Sequence, residues 1–437
     1  MLFTNIRSVS GWSCRIQRAL ASQLGIGYRT AWSDHRSTFR TSRPSTSTTG
    51  CLPHFVRSSR GTLTGIRCKV PSARCSVTER VRGLGDWFWH SRGPDAGSRS
   101  YWDGKWSGVT RVPAEPRPYA APYGATAQRP SWPSLPPRVR ALVEERLGQP
   151  VAEAVSQGGG FTNGFASRLL LADGSRVFVK AVSRLRSPEI FSSYQQEILV
   201  ARALPEHVPA TKLRWVLEQE DWLMLAFDDV AGRTPQRPWQ PNELRAVLDM
   251  LTPLATAMTP APAGLPKLDT TADLDRDFSF WRRLVAGDVS ADPQLVGARW
   301  LRRLEDLAAL ESDWAKLAAG QTAVHFDMRD DNLLITDDGR VLVCDWNWLA
   351  LAAPWVDLVG LLVSVHGDGL DAEVILAEHP LARGVEPRAI NSLLSAMAGY
   401  FTEAAARPAF PNSPWMRTHQ AWWRDATLSW LALRLQL

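Results

Sequence analysis

The stretch from residue 139 to 228 alternates between polar turns and short apolar runs of strand length. Apolar residues recur at helical spacing across residues 139–147 and predict a short helix there. A second helix is predicted at 188–204. Turns such as Ala-Asp-Gly-Ser at 172–175 are typical of hairpins, so we expect neighbouring strands to be antiparallel. The predicted strands are residues 150–155, 166–171, 176–182, 211–219 and 222–227.

Helical periodicity dominates from residue 229 onward. Within the longest such stretch, an apolar stripe with a period of about 3.6 residues predicts a face packed in the core; it comprises Val296, Trp300, Leu304, Leu307 and Leu310. The sequence therefore predicts an α+β fold. A small part with five antiparallel strands and one helix precedes a larger, mainly helical part. The predicted helices of the larger part are 242–258, 273–286, 293–319, 371–378, 386–406 and 415–436.

Residues 1–138 show neither the apolar spacing of a helix nor the alternation of a strand. They hold 21 Lys and Arg against 6 Asp and Glu, whereas the remainder holds 29 against 38, so the overall charge of +6 sums two unlike parts. Segments rich in Arg, Ser, Gly and Pro bury too little apolar surface to offset their ordering entropy, so we expect disorder. Three explanations stay open: a targeting peptide, a basic arm that binds nucleic acid, or translated sequence upstream of the true start. We assign this segment no functional weight.

The cysteines and the apolar runs of the sequence indicate the compartment and whether the chain could span a membrane. Four of the five cysteines lie in residues 1–138 at spacings that match no zinc-ligand pair, and the fifth is Cys344. Nothing suggests a disulfide framework, and no apolar run is long enough to span a bilayer. We expect a cytoplasmic protein with no membrane partner, and binding of nucleic acid only if the basic segment supplies it.

Oxygen-bearing side chains concentrate in residues 321–347. A polar loop from His325 to Asn332 precedes two short apolar runs joined by Asp-Asp-Gly at 337–339, which favours a hairpin. Asp345 ends the second run, so Asp327, Asn332 and Asp345 should meet at the rims of two strands. Such a group suits Mg²⁺, which prefers oxygen ligands and shares them with substrate phosphates. The alternative is an ordinary hairpin whose Asp and Asn residues cap turns.

The pattern His-x-Asp-x-x-x-x-Asn at 325–332, followed by Asp345, resembles the catalytic loop and metal-binding Asp of eukaryotic-like kinases. The form His-Phe-Asp-Met-Arg-Asp-Asp-Asn followed by Cys-Asp-Trp-Asn looks like the aminoglycoside phosphotransferase and choline kinase family. That resemblance implies a bilobal, protein kinase-like fold, with a small N-lobe at 139–228 and a C-lobe at 229–437. It implies that Asp327 orients the acceptor hydroxyl and that Asn332 and Asp345 hold Mg²⁺.

The same resemblance implies a nucleotide site in the N-lobe. Lys180, on the third strand, would contact phosphates, and Glu197 on the following helix would pair with it; otherwise Glu197 faces solvent. A glycine-rich loop precedes the second strand and would cover the phosphates, although most glycine clusters are plain turns. Asp228 and Asp229 lie in the segment that resembles the hinge between lobes. The loop residues are Gly158, Gly159, Gly160, Asn163 and Gly164.

Three further residues are expected to support the catalytic loop. His325 would fix the loop by packing, and Asp357 would hydrogen-bond to it from the start of a helix. Arg329 would neutralise γ-phosphate charge or simply pair with Asp330 or Asp331. Arg329 begins an Arg-Asp-Asp run at positions where the family commonly has His-Pro-Gly. This departure from the family pattern removes no chemical group that the reaction requires.

The expected function is ATP-dependent (or GTP-dependent) transfer of a γ-phosphate to a hydroxyl of a small molecule, with Mg²⁺. The acceptor stays open among aminoglycosides, choline, homoserine, other amino alcohols and macrolides. An aminoglycoside would need an acidic pocket, to which Asp368, Asp371, Glu373 and Glu403 could contribute. A nucleotide-binding pseudokinase is the alternative of another class, and the presence of Lys180 with Asp327, Asn332 and Asp345 argues against it.

Overall fold

The computed structural model describes residues 119–122, 124–410 and 412–437, all within one compact unit. The disorder predicted for the N-terminal segment therefore falls largely on residues outside this range. The end of that segment is described, however, and it contacts the rest of the chain through the buried side chains of Trp132 and Leu135. The domain boundary at residue 138 stays a prediction.

The predicted small lobe is confirmed as a five-stranded antiparallel sheet with a helix on each face. Its strands are β1 (Val151–Ser156), β2 (Phe165–Leu171), β3 (Arg176–Ser183), β4 (Leu213–Gln219) and β5 (Trp222–Asp228), in the order β1-β2-β3-β5-β4. The helices are α1 (Pro137–Leu147) and α2 (Pro188–Ala203). Strand β3 is central and places Lys180 opposite Leu225 of β5 and Ala166 of β2.

Alternation along the strands builds a core on each face of this sheet. Val177 and Val179 of β3 pack on the same side as Val143 of α1. On the other side, Phe191 and Ile198 of α2 pack with apolar residues of β5. Helix α2 is thereby held against β3, which brings its buried Glu197 to the side of the sheet where the Lys180 side chain lies.

The large lobe is helical around a single extensive core. Its longer helices are α3 (Pro241–Ala257), α8 (Leu304–Leu317), α9 (Val356–Gly367), α11 (Pro387–Ala405) and α12 (Met416–Arg434). The predicted core stripe is buried at Val296, Trp300, Leu307 and Leu310, with Leu304 packed at its edge. Shorter helices are α4 (Thr271–Leu274), α5 (Phe280–Val285), α6 (Pro293–Val296), α7 (Ala298–Leu301) and α10 (Ala372–Glu378). No helix of the described ranges is long and apolar enough to cross a membrane.

Two predicted helices were wrong as continuous elements. Residues 293–319 break into α6, α7 and α8, and the first break is Gly297, whose φ of +82° lies outside the helical region. Residues 273–286 divide into α4 and α5. Periodicity persisted across these breaks because apolar residues on both sides still face the same core.

Short strands of the large lobe flank the polar loop at residues 325–332. Strands β9 (Leu333–Thr336) and β10 (Val341–Val343) form the predicted hairpin, and β6 (Gly232–Arg233) joins it. In a second three-stranded sheet, β11 (Ala350–Ala352) lies between β7 (Asp269–Thr270) and β8 (Thr322–Val324). The loop from 325 to 332 is therefore tied to a strand at each end.

Glu311 of α8 is a fully buried carboxylate that organises the start of α5. It accepts hydrogen bonds from the backbone N–H groups of Trp281 at 3.1 Å and Arg282 at 2.9 Å. We expect Glu311→Ala to lower the free energy of unfolding by about 3 kcal/mol, because these buried donors lose their acceptor. Denaturant unfolding measures the change. Glu305→Ala, at an exposed position of the same helix, serves as control; equal effects of the two substitutions would contradict this account.

Candidate active site

Asp357 fixes the backbone at the start of the polar loop. Located in the first turn of α9, its carboxylate accepts the backbone N–H of His325 and of Phe326, each at 2.8 Å. Phe326 has φ of +64°, a conformation that is costly for a side chain of this size. The two hydrogen bonds hold the loop in that conformation at the residue before Asp327.

His325 supports the loop from inside. Its side chain is buried, lies edge-on to Trp346 and donates through Nε2 to the carbonyl oxygen of Cys344 at 2.9 Å. This contact ties the beginning of the loop to the residue that precedes Asp345. The buried His325 ring therefore supports the loop through packing and this hydrogen bond.

Asp327 is held at both carboxylate oxygens. Asn332 donates through Nδ2 to Oδ2 at 3.0 Å and to the Asp327 backbone oxygen at 2.8 Å. Arg329 approaches Oδ1 through Nε at 3.0 Å and reaches Asp331 through Nη2 at 3.3 Å. The Asp327 side chain remains 28% exposed, so a hydroxyl can still reach it. A carboxylate fixed in this way can orient a hydroxyl and accept its proton.

Lys180 lies between two carboxylates. Its Nζ is 2.8 Å and 3.0 Å from the two oxygens of Glu197, the contact expected from the sequence, and it also pairs with Asp345. Burial lowers the pKa of the ammonium, but the charges of Asp345 and Glu197 outweigh burial and raise that pKa above its usual value. Lys180 is thus a fixed, buried cation that contacts Asp345 just after the end of β10.

Asn332 and Asp345 form a donor set that fits Mg²⁺. The Nδ2 of Asn332 is committed to Asp327, and its Oδ1 has no hydrogen-bond partner among the described residues. The backbone of Cys344 donates to that of Asn332 at 3.0 Å, which brings Asp345 beside it. No cluster of three or more His, Cys, Asp or Glu suited to a metal occurs in the part of the chain that the structure describes. A magnesium ion here would therefore need oxygens from a nucleotide to complete its coordination.

The glycine-rich loop connects β1 to β2. An added Cβ at Gly164 would lie 2.6 Å from the hydroxyl oxygen of Tyr194, and one at Gly158 would lie 2.6 Å from the carbonyl oxygen of Gly124. Both positions therefore require glycine. Asn163 has a buried side-chain oxygen without a hydrogen-bond partner in the described ranges. Gly159 and Gly160 are half-buried and lie between these two positions.

Comparison with known proteins gives one decisive match. A model of the phosphotransferase enzyme family matches residues 160–388, more than half of the chain. The chain belongs to this family. It is accordingly a phosphotransferase, with the α+β architecture described above. No curated protein sequence matches it.

Solved structures similar to this phosphotransferase include three small-molecule kinases. A thermostable mutant of aminoglycoside phosphotransferase APH(4)-Ia, in a ternary complex with ADP and hygromycin B, is 14% identical with a TM-score of 0.47, covering 68% of this chain and 98% of that one. Choline kinase LicA from Streptococcus pneumoniae is 15% identical with a TM-score of 0.44, covering 67% and 99%. Spectinomycin phosphotransferase APH(9)-Ia, in complex with ADP and spectinomycin, is 12% identical with a TM-score of 0.45, covering 69% and 98%.

The hinge carboxylates of the phosphotransferase lie apart from the catalytic loop. Asp229 forms a bidentate pair with Arg168 of β2, at 2.6 Å and 3.0 Å, and Asp228 pairs with Arg214 of β4 at 2.6 Å. Both line a cavity of about 950 Å³ whose walls include none of the catalytic-loop residues. Their contribution to cofactor binding stays a prediction, and the ion pairs tie both residues to strands of the small lobe.

Two residues outside the matched range complete the surroundings of Asp327. His419 of α12 accepts from Nη1 of Arg329 at 2.9 Å, and its Nδ1 lies 2.7 Å from the hydroxyl of Tyr119. Burial lowers the pKa of His419 well below its usual value, as do the charges of Arg329 and Arg237. The neutral ring thus accepts at Nε2 and donates from Nδ1. Sequence analysis missed both residues, because neither lies in a motif.

Each of the four carboxylates proposed for an acidic pocket has a partner within the protein. Asp368 is buried against Arg237, Glu373 binds Arg434, and Glu403 pairs with Arg283. Asp371 caps the N-terminus of α10. Each one is therefore already neutralised by a cation or a helix terminus.

Close packing at Gly164 gives a testable stability effect. Gly164→Ala should lower the free energy of unfolding by about 1–3 kcal/mol, because the new Cβ overlaps the Tyr194 hydroxyl. Tyr194→Phe removes that oxygen, so the double variant should regain most of the loss in a denaturant titration. Gly159→Ala is the matched control, since its Cβ would meet nothing within 4 Å. Purely additive effects in the double variant would refute the contact.

Proposed function

We propose that this phosphotransferase moves the γ-phosphate of ATP to a hydroxyl group of a small molecule, with Mg²⁺ as the metal. The observation that carries the proposal is the convergence of Asp327, Asn332, Asp345 and Lys180 around one cleft. Phosphoryl transfer asks a protein mainly for positioning and charge neutralisation, and these four residues supply both.

Each residue has a distinct task in the proposed reaction. Asp327 aligns the acceptor hydroxyl and accepts its proton as the oxygen attacks phosphorus. Asn332 and Asp345 hold Mg²⁺, which neutralises charge on the phosphates when it is bound. Lys180, oriented by Glu197, contacts the phosphates from the N-lobe side. The glycine-rich loop covers them and excludes water.

The acceptor side of Asp327 is largely aromatic. Phe278 lies edge-on to Phe326 with ring centroids 5.8 Å apart and stacks on Tyr400 at 5.2 Å. Burial raises the pKa of Tyr400, Arg407 lowers it, and Asp327 raises it, so its hydroxyl lies among charged groups. This surface favours a compact amino alcohol or a ring with an apolar face over a polycationic aminoglycoside.

The first test is nucleotide turnover by the full chain. ADP release with Mg²⁺ is followed for ATP and for GTP against a panel of amino alcohols, macrolides and aminoglycosides. We expect acceptor-dependent ADP release with at least one panel member, abolished by chelation of Mg²⁺. Binding of Mg²⁺-ATP without turnover on any acceptor favours the pseudokinase alternative. Absence of nucleotide binding contradicts the proposal.

A further inference from the structure

A strap that precedes the family-matched range crosses the glycine-rich loop. We define it as residues 119–122 and 124–135. Its backbone bonds to the loop, with Thr126 N–H donating to the carbonyl of Gly158 at 2.9 Å. It also contacts the C-terminal region, where Gln128 N–H donates to the carbonyl of Asn412 at 3.1 Å. Trp132 packs on Phe165 at the start of β2 with centroids 5.9 Å apart.

Arg129 extends from this strap into the curve of the glycine-rich loop. Its Nη2 donates to the carbonyl of Gly159 at 2.7 Å. Its Nη1 donates to the carbonyl of Gly164 and to the hydroxyl of Thr162, both at 3.1 Å. The guanidinium is therefore held rigidly by the loop that would cover the phosphates.

These contacts leave one edge of the guanidinium for another partner. Arginine has N–H groups at Nε, Nη1 and Nη2, in a fixed fork. The Nη1 group uses both of its hydrogens, whereas Nε is buried and has no hydrogen-bond partner within the described residues. A buried charged donor left unmatched is costly unless a ligand supplies the acceptor. The Nε and Nη2 edge has the geometry that phosphate oxygens match bidentately.

The guanidinium also acts on a residue beside Lys180. Lys180 Nζ lies 5.4 Å from the ring centroid of Tyr194, whose pKa burial raises while Lys180 and Arg129 lower it. The two cations therefore approach one region of the cleft. The glycine-rich loop directs two backbone carbonyl oxygens, rather than N–H groups, toward Arg129. The positive charge at this point of the loop is therefore that of the Arg129 side chain.

We propose that Arg129 binds the phosphates of the nucleotide through its Nε and Nη2 edge. The strap thus supplies a phosphate-binding residue from outside the family-matched range. This inference rests on the proposed nucleotide-binding function. It makes the strap part of the site, and it predicts that removing the guanidinium weakens only ligands that carry phosphates.

The test compares ADP with adenosine by isothermal titration to the full chain. Arg129→Ala should weaken ADP binding by roughly 10–100-fold, the effect of losing charge-assisted hydrogen bonds, and leave adenosine binding unchanged. Arg129→Lys keeps the charge without the fork, so it should lose less. Arg138→Ala, an exposed position on α1 paired with Glu220, is the matched control and should bind both ligands normally.

Several outcomes would overturn the inference. Equal losses for ADP and adenosine would show that Arg129 only shapes the loop, and tighter ADP binding would show that the strap blocks the site. If Arg129→Ala fails to fold, an unchanged ratio of ADP to adenosine affinity in Arg129→Lys overturns it. Wild-type protein that binds no ADP overturns the proposed function as well, which separates the two failures.

Discussion

Asp327→Ala is expected to lower kcat by about 10²–10⁴-fold while ADP affinity stays near that of the wild type. In the proposed reaction Asp327 acts on the acceptor hydroxyl, whereas Lys180, Asn332 and Asp345 act on the nucleotide and its metal. The substitution also removes the acceptor of the Asn332 hydrogen bond and the ion-pair partner of Arg329. Steady-state kinetics and ADP titration on the same samples separate these effects.

The control for this substitution is Asp337→Ala, at the exposed turn of the neighbouring hairpin. It removes a carboxylate from the same local region but touches none of the catalytic contacts, so its kcat should match the wild type. Asp327→Asn extends the comparison, because it keeps a side chain of similar size without a basic carboxylate. Wild-type kcat in Asp327→Ala would sink the assigned role.

Asp345→Ala is expected to weaken Mg²⁺-ADP binding by at least about 10–100-fold, since even residues that only orient metal ligands have effects of that size. Binding of ADP without Mg²⁺ should change less. Lys180 keeps Glu197 as its partner after the substitution, so the cation stays oriented. Titrating Mg²⁺ at fixed ADP shows the difference as a shift in the metal concentration required.

Asp338→Ala provides the control, because Asp338 is an exposed carboxylate at the turn between β9 and β10. Its Mg²⁺ requirement should equal that of the wild type. A Mg²⁺ requirement unchanged in Asp345→Ala would contradict the metal role and leave Asp345 as a partner of Lys180 alone.

The small lobe could be predicted from sequence because its signals are local. Apolar alternation, the Asp-Gly turns and a helix between β3 and β4 specify each element, and antiparallel hairpins then leave few ways to pair them. The large lobe was predicted less well. The break at Gly297 could not be seen, since helical periodicity on its two sides stays in register with one core.

The candidate site divides in the same way. Asp327, Asn332 and Asp345 lie within one short stretch, so their spacing in sequence was informative. Arg129, Tyr119 and His419 reach the site only through tertiary contacts, and Tyr119 and His419 are 300 residues apart in the chain. The composition around Arg129 predicts disorder, whereas the structure buries Trp132 and Leu135 of the same segment.

The most direct measurement of the central claim is the mass of the acceptor after incubation with the full chain, Mg²⁺ and ATP labelled in its terminal phosphate. The acceptor is the one that gives turnover in the panel. The account predicts that the label appears on a hydroxyl of that acceptor with wild-type protein and is nearly lost with Asp327→Asn. Label released only as inorganic phosphate, or equal product from both proteins, would contradict it.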